Sequence, residues 1–250
     1  MNQTENLEVV VITGGASGIG LECAKVAAAR GARVAILDIS QQAGEKALAV
    51  LPEPHLHLAI ETDVTDRRKV EVAFETITDT LGSPTALVAA AGIVCQTPLK
   101  DVTEAEFRRV MSINVEGVHN SISAATKYLM RSSGSSVVVL GSVSANTGGG
   151  LMGSGVYATS KAAVIGMVRG YARELSEWGT RVNLVSPAAT STPMTQNLSE
   201  SDQTRILSSS LIGRFIDPRE IAETVNFLLT PGAGAITGQV IQANGGVYFN

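Results

Sequence analysis

Tyr157 and Lys161 lie one helical turn apart in the run YATSK, which puts a phenol and an ammonium on the same face of a helix. A tyrosine titrating near about 10 is a poor base at neutral pH, but a neighbouring cation favours the phenolate. The pair then has the makings of a general acid/base for interconverting an alcohol and a ketone. This spacing recurs on many exposed helices, so its weight comes from its company. Ser142 directly follows the strand-like VVVLG, and the glycine-rich loop up to Gly155 leads into the Tyr157 helix. A hydroxyl there can hold a substrate oxygen. Asn114, in VMSINVEG, is a poor helix former among apolar neighbours. It reads either as a buried amide holding a backbone carbonyl or a water, or as a plain interhelical hydrogen bond.

A second group of residues suits phosphate. In TGGASGIG, from Thr13 to Gly20, the glycines Gly14, Gly18 and Gly20 fall between an apolar run and a helical pattern. Absent side chains there let backbone approach a dinucleotide pyrophosphate, and the helix start offers free N–H groups. Asp38 closes the next strand about twenty residues on, where a carboxylate can accept both ribose hydroxyls and repel a 2′-phosphate. No Arg or Lys follows closely, so the expected cofactor is NAD; the alternative for Asp38 is a helix cap in DISQQ. Asp63, with Val64 beside it, is expected at the adenine, again with helix capping as the alternative.

These residues need a frame. Strand runs at Val9 to Ile12, Arg33 to Leu37, Leu56 to Ile60, Ala86 to Ala90, Ser136 to Leu140, Arg181 to Val185 and Gln239 to Gln242 alternate with helical patterns. The helices are expected at Ile19 to Arg30, Arg67 to Leu81, Thr103 to Met130, Ser154 to Trp178 and Pro218 to Leu229. Continuous apolar strands separated by helices require right-handed crossovers and a parallel sheet covered on both faces. The fold class is therefore α/β, a doubly wound Rossmann sheet of about seven strands, in a single domain over 1–250. The Ser-rich stretch at about 190–213 is the one candidate lid.

With 250 residues, 44% hydrophobic content and a net charge of -4, the chain can bury a large core and carries no basic run for nucleic acid or a membrane surface. The polar start MNQTENLE lacks a signal-peptide layout and no later run reaches the roughly 20 apolar residues of a membrane span. A cytoplasmic protein is expected. Cys23 and Cys95 are unclustered, and His55, His57 and His119 match no zinc spacing, so no metal is expected.

Taken together, the motifs resemble the short-chain dehydrogenase/reductase family over essentially the whole length. TGGASGIG resembles its TGxxxGxG cofactor motif, Asn114 its active-site asparagine, Ser142 with Tyr157 and Lys161 its serine and YxxxK pair, and Pro187 to Met194 its segment ending in TPM. The resemblance implies that Tyr157 exchanges the hydroxyl proton, Lys161 holds the nicotinamide ribose and lowers the tyrosine pKa, Ser142 orients substrate and Asn114 supports a water relay. It places Gly14, Ser17, Gly18, Ile19 and Gly20 at the pyrophosphate side, Ala90 and Gly92 beside the adenosine, and Pro187, Thr190 and Thr192 at the carboxamide. It also implies a homotetramer, or a dimer, built on the two long helices through faces that include Ala124, Ala125, Ala162 and Ala163.

Three departures from the family pattern stand out. NNAG reads AAAG here (Ala89 to Gly92), the PG after the sixth strand reads Pro187, Ala188, and the interval from Ser142 to Tyr157 is about two residues longer than usual. Ser144 fits the usual interval, whereas Ser142 directly follows the strand. Substrate contacts are expected from Val94 to Leu99, Ser144 to Val156 and Ala189 to Leu211, where Leu151, Met152, Met194 and Leu198 suggest an apolar pocket. A neutral secondary alcohol or its ketone, apolar or cyclic, or a dihydrodiol, fits best. The alternatives are a 3-oxoacyl thioester reductase, for which Arg205 and Arg214 are the nearby cations, and a catalytically silent NAD-binding scaffold.

Overall fold

The computed structural model describes residues 8–150, 153–195 and 198–249. Its strands are β1 (Val9–Thr13), β2 (Arg33–Asp38), β3 (Leu58–Glu61), β4 (Ala86–Ala89), β5 (Ser136–Leu140), β6 (Arg181–Pro187) and β7 (Val240–Ala243), in one parallel sheet ordered β3-β2-β1-β4-β5-β6-β7. The order reverses between β1 and β4, which opens a crevice at the carboxyl ends of those strands.

The two-residue period of a strand divides the core. Val9 and Val11 face one layer with Phe74, Ile77, Ile122 and Val164; Val10 and Ile12 face the other with Cys23, Ala27, Ile221 and Val225. The first layer comprises α3 (Arg67–Leu81), α5 (Gly117–Leu129) and α7 (Gly155–Glu174), the second α1 (Gly18–Ala29) and α9 (Pro218–Leu229). Both layers are sealed by β-branched strand residues at or near zero exposure, as fully covered parallel strands require.

Helix starts follow local chemistry. Asp66 caps α3, and capping boxes start both α4 (Glu104–Met111), through Thr103 and Glu106, and α9, through Asp217 and Glu220. The long helix expected from Thr103 to Met130 is instead α4, a π-helical turn over Ser112–Glu116, and α5. The helix expected to reach Trp178 leaves α geometry at Glu174 and ends as a 3-10 turn, Leu175–Trp178.

Other expectations shift as well. Two helices are absent from the expected set: α2 (Gln41–Leu48), capped by the Ser40 hydroxyl within the DISQQ run, and α8 (Glu200–Leu207), inside the Ser-rich stretch expected as a lid. A single turn, α6 (Ser144–Thr147), follows β5. The third strand begins at Leu58, because Pro54–Leu56 forms a 3-10 turn. His57 Nδ1 accepts the Val34 N–H at 3.1 Å and Nε2 lies 2.8 Å from the Pro52 carbonyl, so this histidine ties the sheet edge to its connection. Ala124 and Ala125 are buried in the chain's own core and offer no outer face, whereas Ala162 and Ala163 are exposed on α7. Among the described residues no helix is long and apolar enough to cross a membrane, and no group of three or more His, Cys, Asp or Glu is placed to hold a metal.

Candidate active site

A cleft of about 1500 Å³ runs along the carboxyl edge of the sheet, and its lining includes Asn-free backbone at Ala90 to Gly92 together with Ser142, Tyr157 and Lys161. At one end lies the glycine turn. Gly14 has φ +66°, and a Cβ there would come within 2.7 Å of Ala91 Cα, so only glycine lets the β1 turn pack on the segment after β4. Ser17 is the N-cap of α1 but makes no side-chain cap, and the first turn holds no acidic residue. Gly18, Ile19 and Gly20 line the cleft at the start of α1, the positive end of the helix dipole, with no side chain of Ser17 capping its N–H groups. These features fit a dinucleotide phosphate.

Asp38 Oδ2 accepts the Ala16 N–H at 3.1 Å, and Oδ1 the Ser40 N–H at 3.4 Å. Ser40, and not Asp38, caps the helix that follows. Likewise Asp63 accepts from the N–H and hydroxyl of Thr65, while Asp66 caps α3. Both carboxylates therefore line the cleft without serving as helix caps. Val64, also on the wall, is wedged against Gly117, where a Cβ would lie 2.6 Å from its Cγ2. In AAAG the backbone is held by Thr13: its carbonyl accepts the Ala90 N–H at 3.1 Å and its hydroxyl the Ala91 N–H at 3.3 Å.

The catalytic candidates meet at the centre. The β5–β6 ladder continues past the strand, Gly141 N–H to Val185 O and Val143 N–H to Pro187 O, and holds Ser142 between the two bonds. Ser142 Oγ accepts the Ser144 N–H at 3.2 Å and faces the Tyr157 phenol, whereas Ser144 is itself buried. Ser142 is thus the hydroxyl the fold presents to Tyr157. Burial raises the Tyr157 phenol above its ordinary value, and the polar contact with Ser142 opposes that rise. The Lys161 Nζ lies 5.9 Å from the centre of the Tyr157 ring. Lys161 is 5% exposed, donates to the Leu140 carbonyl at 2.8 Å, and is pushed down by burial to about 8. It remains mostly protonated at neutral pH.

Asn114 lies in the π-helical turn at zero exposure. Its Oδ1 accepts the Ile93 N–H at 2.8 Å, while Nδ2 donates to the Ile93 carbonyl at 2.9 Å and to Ser160 Oγ at 3.0 Å. The amide therefore makes both bonds that were posed as alternatives, one to backbone and one to another helix. Ser160 was not singled out from the sequence, although a polar residue three positions after Tyr157 on a buried face is a readable signal. Thr13 was missed in the same way.

The far wall is the segment after β6. Pro187 pairs with Ala243, Thr190 donates to the Ala188 carbonyl, and Thr192 lies over Gly18, whose Cβ would stand 3.5 Å from Thr192 Cγ2. The segment's distal end is tied down by one acceptor: the Gly245 carbonyl receives the N–H groups of Leu211 and Ile212 and the Ser210 hydroxyl. Arg109, Arg205 and Arg214 also line the cleft; Arg214 is engaged by Glu220 through two contacts of 2.7 Å. Leu151 and Met152, expected at the substrate, lie outside the described residues, as do Gln196 and Asn197 within the lid stretch.

Comparison with known proteins agrees with this fold. A family model described as Enoyl-(Acyl carrier protein) reductase matches residues 14–248. The chain is 36% identical to the 2-(S)-hydroxypropyl-CoM dehydrogenase 3 of Xanthobacter autotrophicus, over 98% of each chain. It is 34% identical to the 3-oxoacyl-(acyl-carrier-protein) reductase FabG of Vibrio cholerae, over 98% of this chain and 99% of that one. A crystal structure of a short-chain dehydrogenase/reductase from Brucella melitensis superposes with a TM-score of 0.91 at 32% identity, covering 97% of both. With the family model matching most of the chain and relatives above 30% identity aligned along nearly its whole length, the chain belongs to the short-chain dehydrogenase/reductase family.

Proposed function

We propose that the chain is an NAD(H)-dependent oxidoreductase that interconverts a secondary alcohol and its ketone. The observation that carries the reading is the convergence of Ser142, Tyr157 and Lys161 in one cleft whose other end presents the Asp38 carboxylate. A nicotinamide dinucleotide held by the turn from Gly14 to Gly20 supplies the hydride-exchanging ring. The chain's own residues do the rest. Ser142 holds the substrate oxygen, Tyr157 gives or takes its proton, and Lys161 keeps a positive charge beside the ribose. Asp38, whose two hydrogen-bond partners are backbone N–H groups and not cations, disfavours a 2′-phosphate and so favours NAD over NADP.

The substrate is a neutral alcohol, and the stretch from about 190 to 213 acts as its lid. The subunits pair through α7, whose outer face carries Ala162, Ala163 and Gly166, to build a homotetramer. A second reading, reduction of a 3-oxoacyl thioester, draws on the Vibrio relative and on Arg109 and Arg205, exposed cleft-lining guanidiniums that make no ion pair among the described residues. The test is absorbance of NADH and NADPH with a panel of secondary alcohols, ketones and 3-oxoacyl thioesters. Turnover of an alcohol with NAD, abolished in Tyr157→Phe, is expected. Comparable activity in that variant would refute the acid/base role, and a preference for NADPH with thioesters would move the assignment to the second reading.

A further inference from the structure

We propose that Ser160 is a positioning residue for Tyr157: its hydroxyl fastens the turn that carries the phenol to Asn114 and, through that amide, to the loop after β4. The inference rests on the acid/base reading of Tyr157. Ser160 has zero exposure, donates to the Tyr157 carbonyl at 2.7 Å and accepts from Asn114 Nδ2 at 3.0 Å. Asn114 in turn grips both the N–H and the carbonyl of Ile93. Each hydrogen in this chain has a defined acceptor, and a flipped Asn114 amide would set its NH2 group against the Ile93 N–H.

A serine in a helix commonly returns its hydroxyl to a carbonyl one turn back and does nothing further. The neighbouring Thr159 shows that case, exposed and bonded to the Gly155 carbonyl at 2.8 Å. Ser160 differs because it is buried and receives a bond from another helix. The same loop also holds the start of α7: the Ser154 N–H donates to the Cys95 carbonyl at 2.6 Å. Tyr157 thus sits between two tethers to one loop. The gap between loop and helix is filled, since a Cβ on Gly92 would stand 3.3 Å from Asn114 Oδ1 and 3.5 Å from Lys161 Nζ.

Ser142 hangs from a different frame, the β5–β6 ladder. Any drift of the α7 turn therefore alters the distance between phenol and serine, on which the proton exchange depends. Removing the Ser160 hydroxyl leaves one buried Asn114 N–H without its acceptor, and the turn is released from the loop.

The experiment is an ultraviolet titration of the Tyr157 phenol, isolated by subtracting the titration of Tyr157→Phe, and repeated in Ser160→Ala against Ser160→Ala combined with Tyr157→Phe. The midpoint is expected to rise by about half a unit to one unit in Ser160→Ala, the direction in which Ser142→Ala also moves it, and to return in Ser160→Thr. An unchanged midpoint in folded Ser160→Ala, or an equal rise in Ser160→Thr, overturns the proposal. If Ser160→Ala does not fold, Ser160→Cys, which keeps the volume and weakens the bond, is read by the same criterion. With a substrate from the panel, Ser160→Ala should lower kcat about five- to tenfold while KM changes by less than about twofold; a rise in KM at unchanged kcat would also overturn it. The titration needs no substrate, so a wild-type protein that turns over nothing defeats the oxidoreductase reading while the midpoint still decides whether Ser160 positions the phenol.

Discussion

Lys161→Met should make the protein more stable at neutral pH while removing the cation from the cleft. The lysine falls from 10.5 in the unfolded chain to about 8 in the fold because burial disfavours its charge, with no acidic side chain contributing. At about 1.4 kcal/mol per unit, that shift destabilises the native state by about 3 kcal/mol. Methionine fills similar space without charge but loses the hydrogen bond to the Leu140 carbonyl, which contributes about 1 kcal/mol. The net expectation at pH 7 is a gain of about 2 kcal/mol.

The sign of the pH dependence follows from the two protonation states. Below about 8 the amine is charged in both states, so the full difference between variant and wild type is present. Between about 8 and 10.5 the unfolded chain holds a proton that the folded chain has released, so wild-type stability climbs with pH relative to the variant. Above that window the wild type leads by the retained hydrogen bond. Urea unfolding followed by circular dichroism, at one protein concentration across this range, measures the difference. A variant less stable than wild type at pH 7, or a difference flat through the window, would show that the buried amine is not strained by desolvation.

Arg181, 8% exposed, donates to the carbonyls of Leu228 and Thr230 at the end of α9; Arg181→Met should lower stability by about 2 kcal/mol in thermal melts and leave NADH binding unchanged, because it acts at the edge of the sheet opposite the cleft. Gly14→Ala would force a Cβ to 2.7 Å from Ala91 Cα at a positive φ, so NADH affinity measured by fluorescence should fall at least about tenfold; affinity like wild type would remove the glycine turn from the site. On α7, nothing lies within 4 Å of a Cβ built on Gly166, so Gly166→Gln should fold normally yet elute as a smaller species by size exclusion if that face pairs subunits. An unchanged elution volume would move the interface elsewhere.

The strands were legible because β-branched runs need no partner to announce them, and the glycine turn because a positive φ and close backbone approach leave few other residues. Tyr157 and Lys161 could be named once their spacing was joined by the motifs around them, and Ser142 because it directly follows a strand; the structure brings all three to one cleft. What escaped depended on distant contacts. The π-helical turn forms where Asn114 reaches across to Ile93, which no local pattern records. Gln41–Leu48 carries an interior glycine, Gly44, that looks like a helix breaker until Ala59 is seen 3.0 Å from its would-be Cβ. The direction of the Tyr157 shift also lay beyond the sequence, because desolvation belongs to the assembled fold and Lys161 donates to Leu140.

The wide turn at Ser112–Glu116 makes chain length, as well as composition, a condition of catalysis. Excising one residue there would let the rod from Glu104 to Leu129 close into regular α-helix, with a better hydrogen-bond count than before. Because the wide turn is what accommodates the extra residue, the two flanking halves would keep their phase and the change would fall on the turn itself, where Asn114 sits. The Ile93 loop would then lose the amide that clasps it. A deletion that improves the helix would thereby disassemble the site.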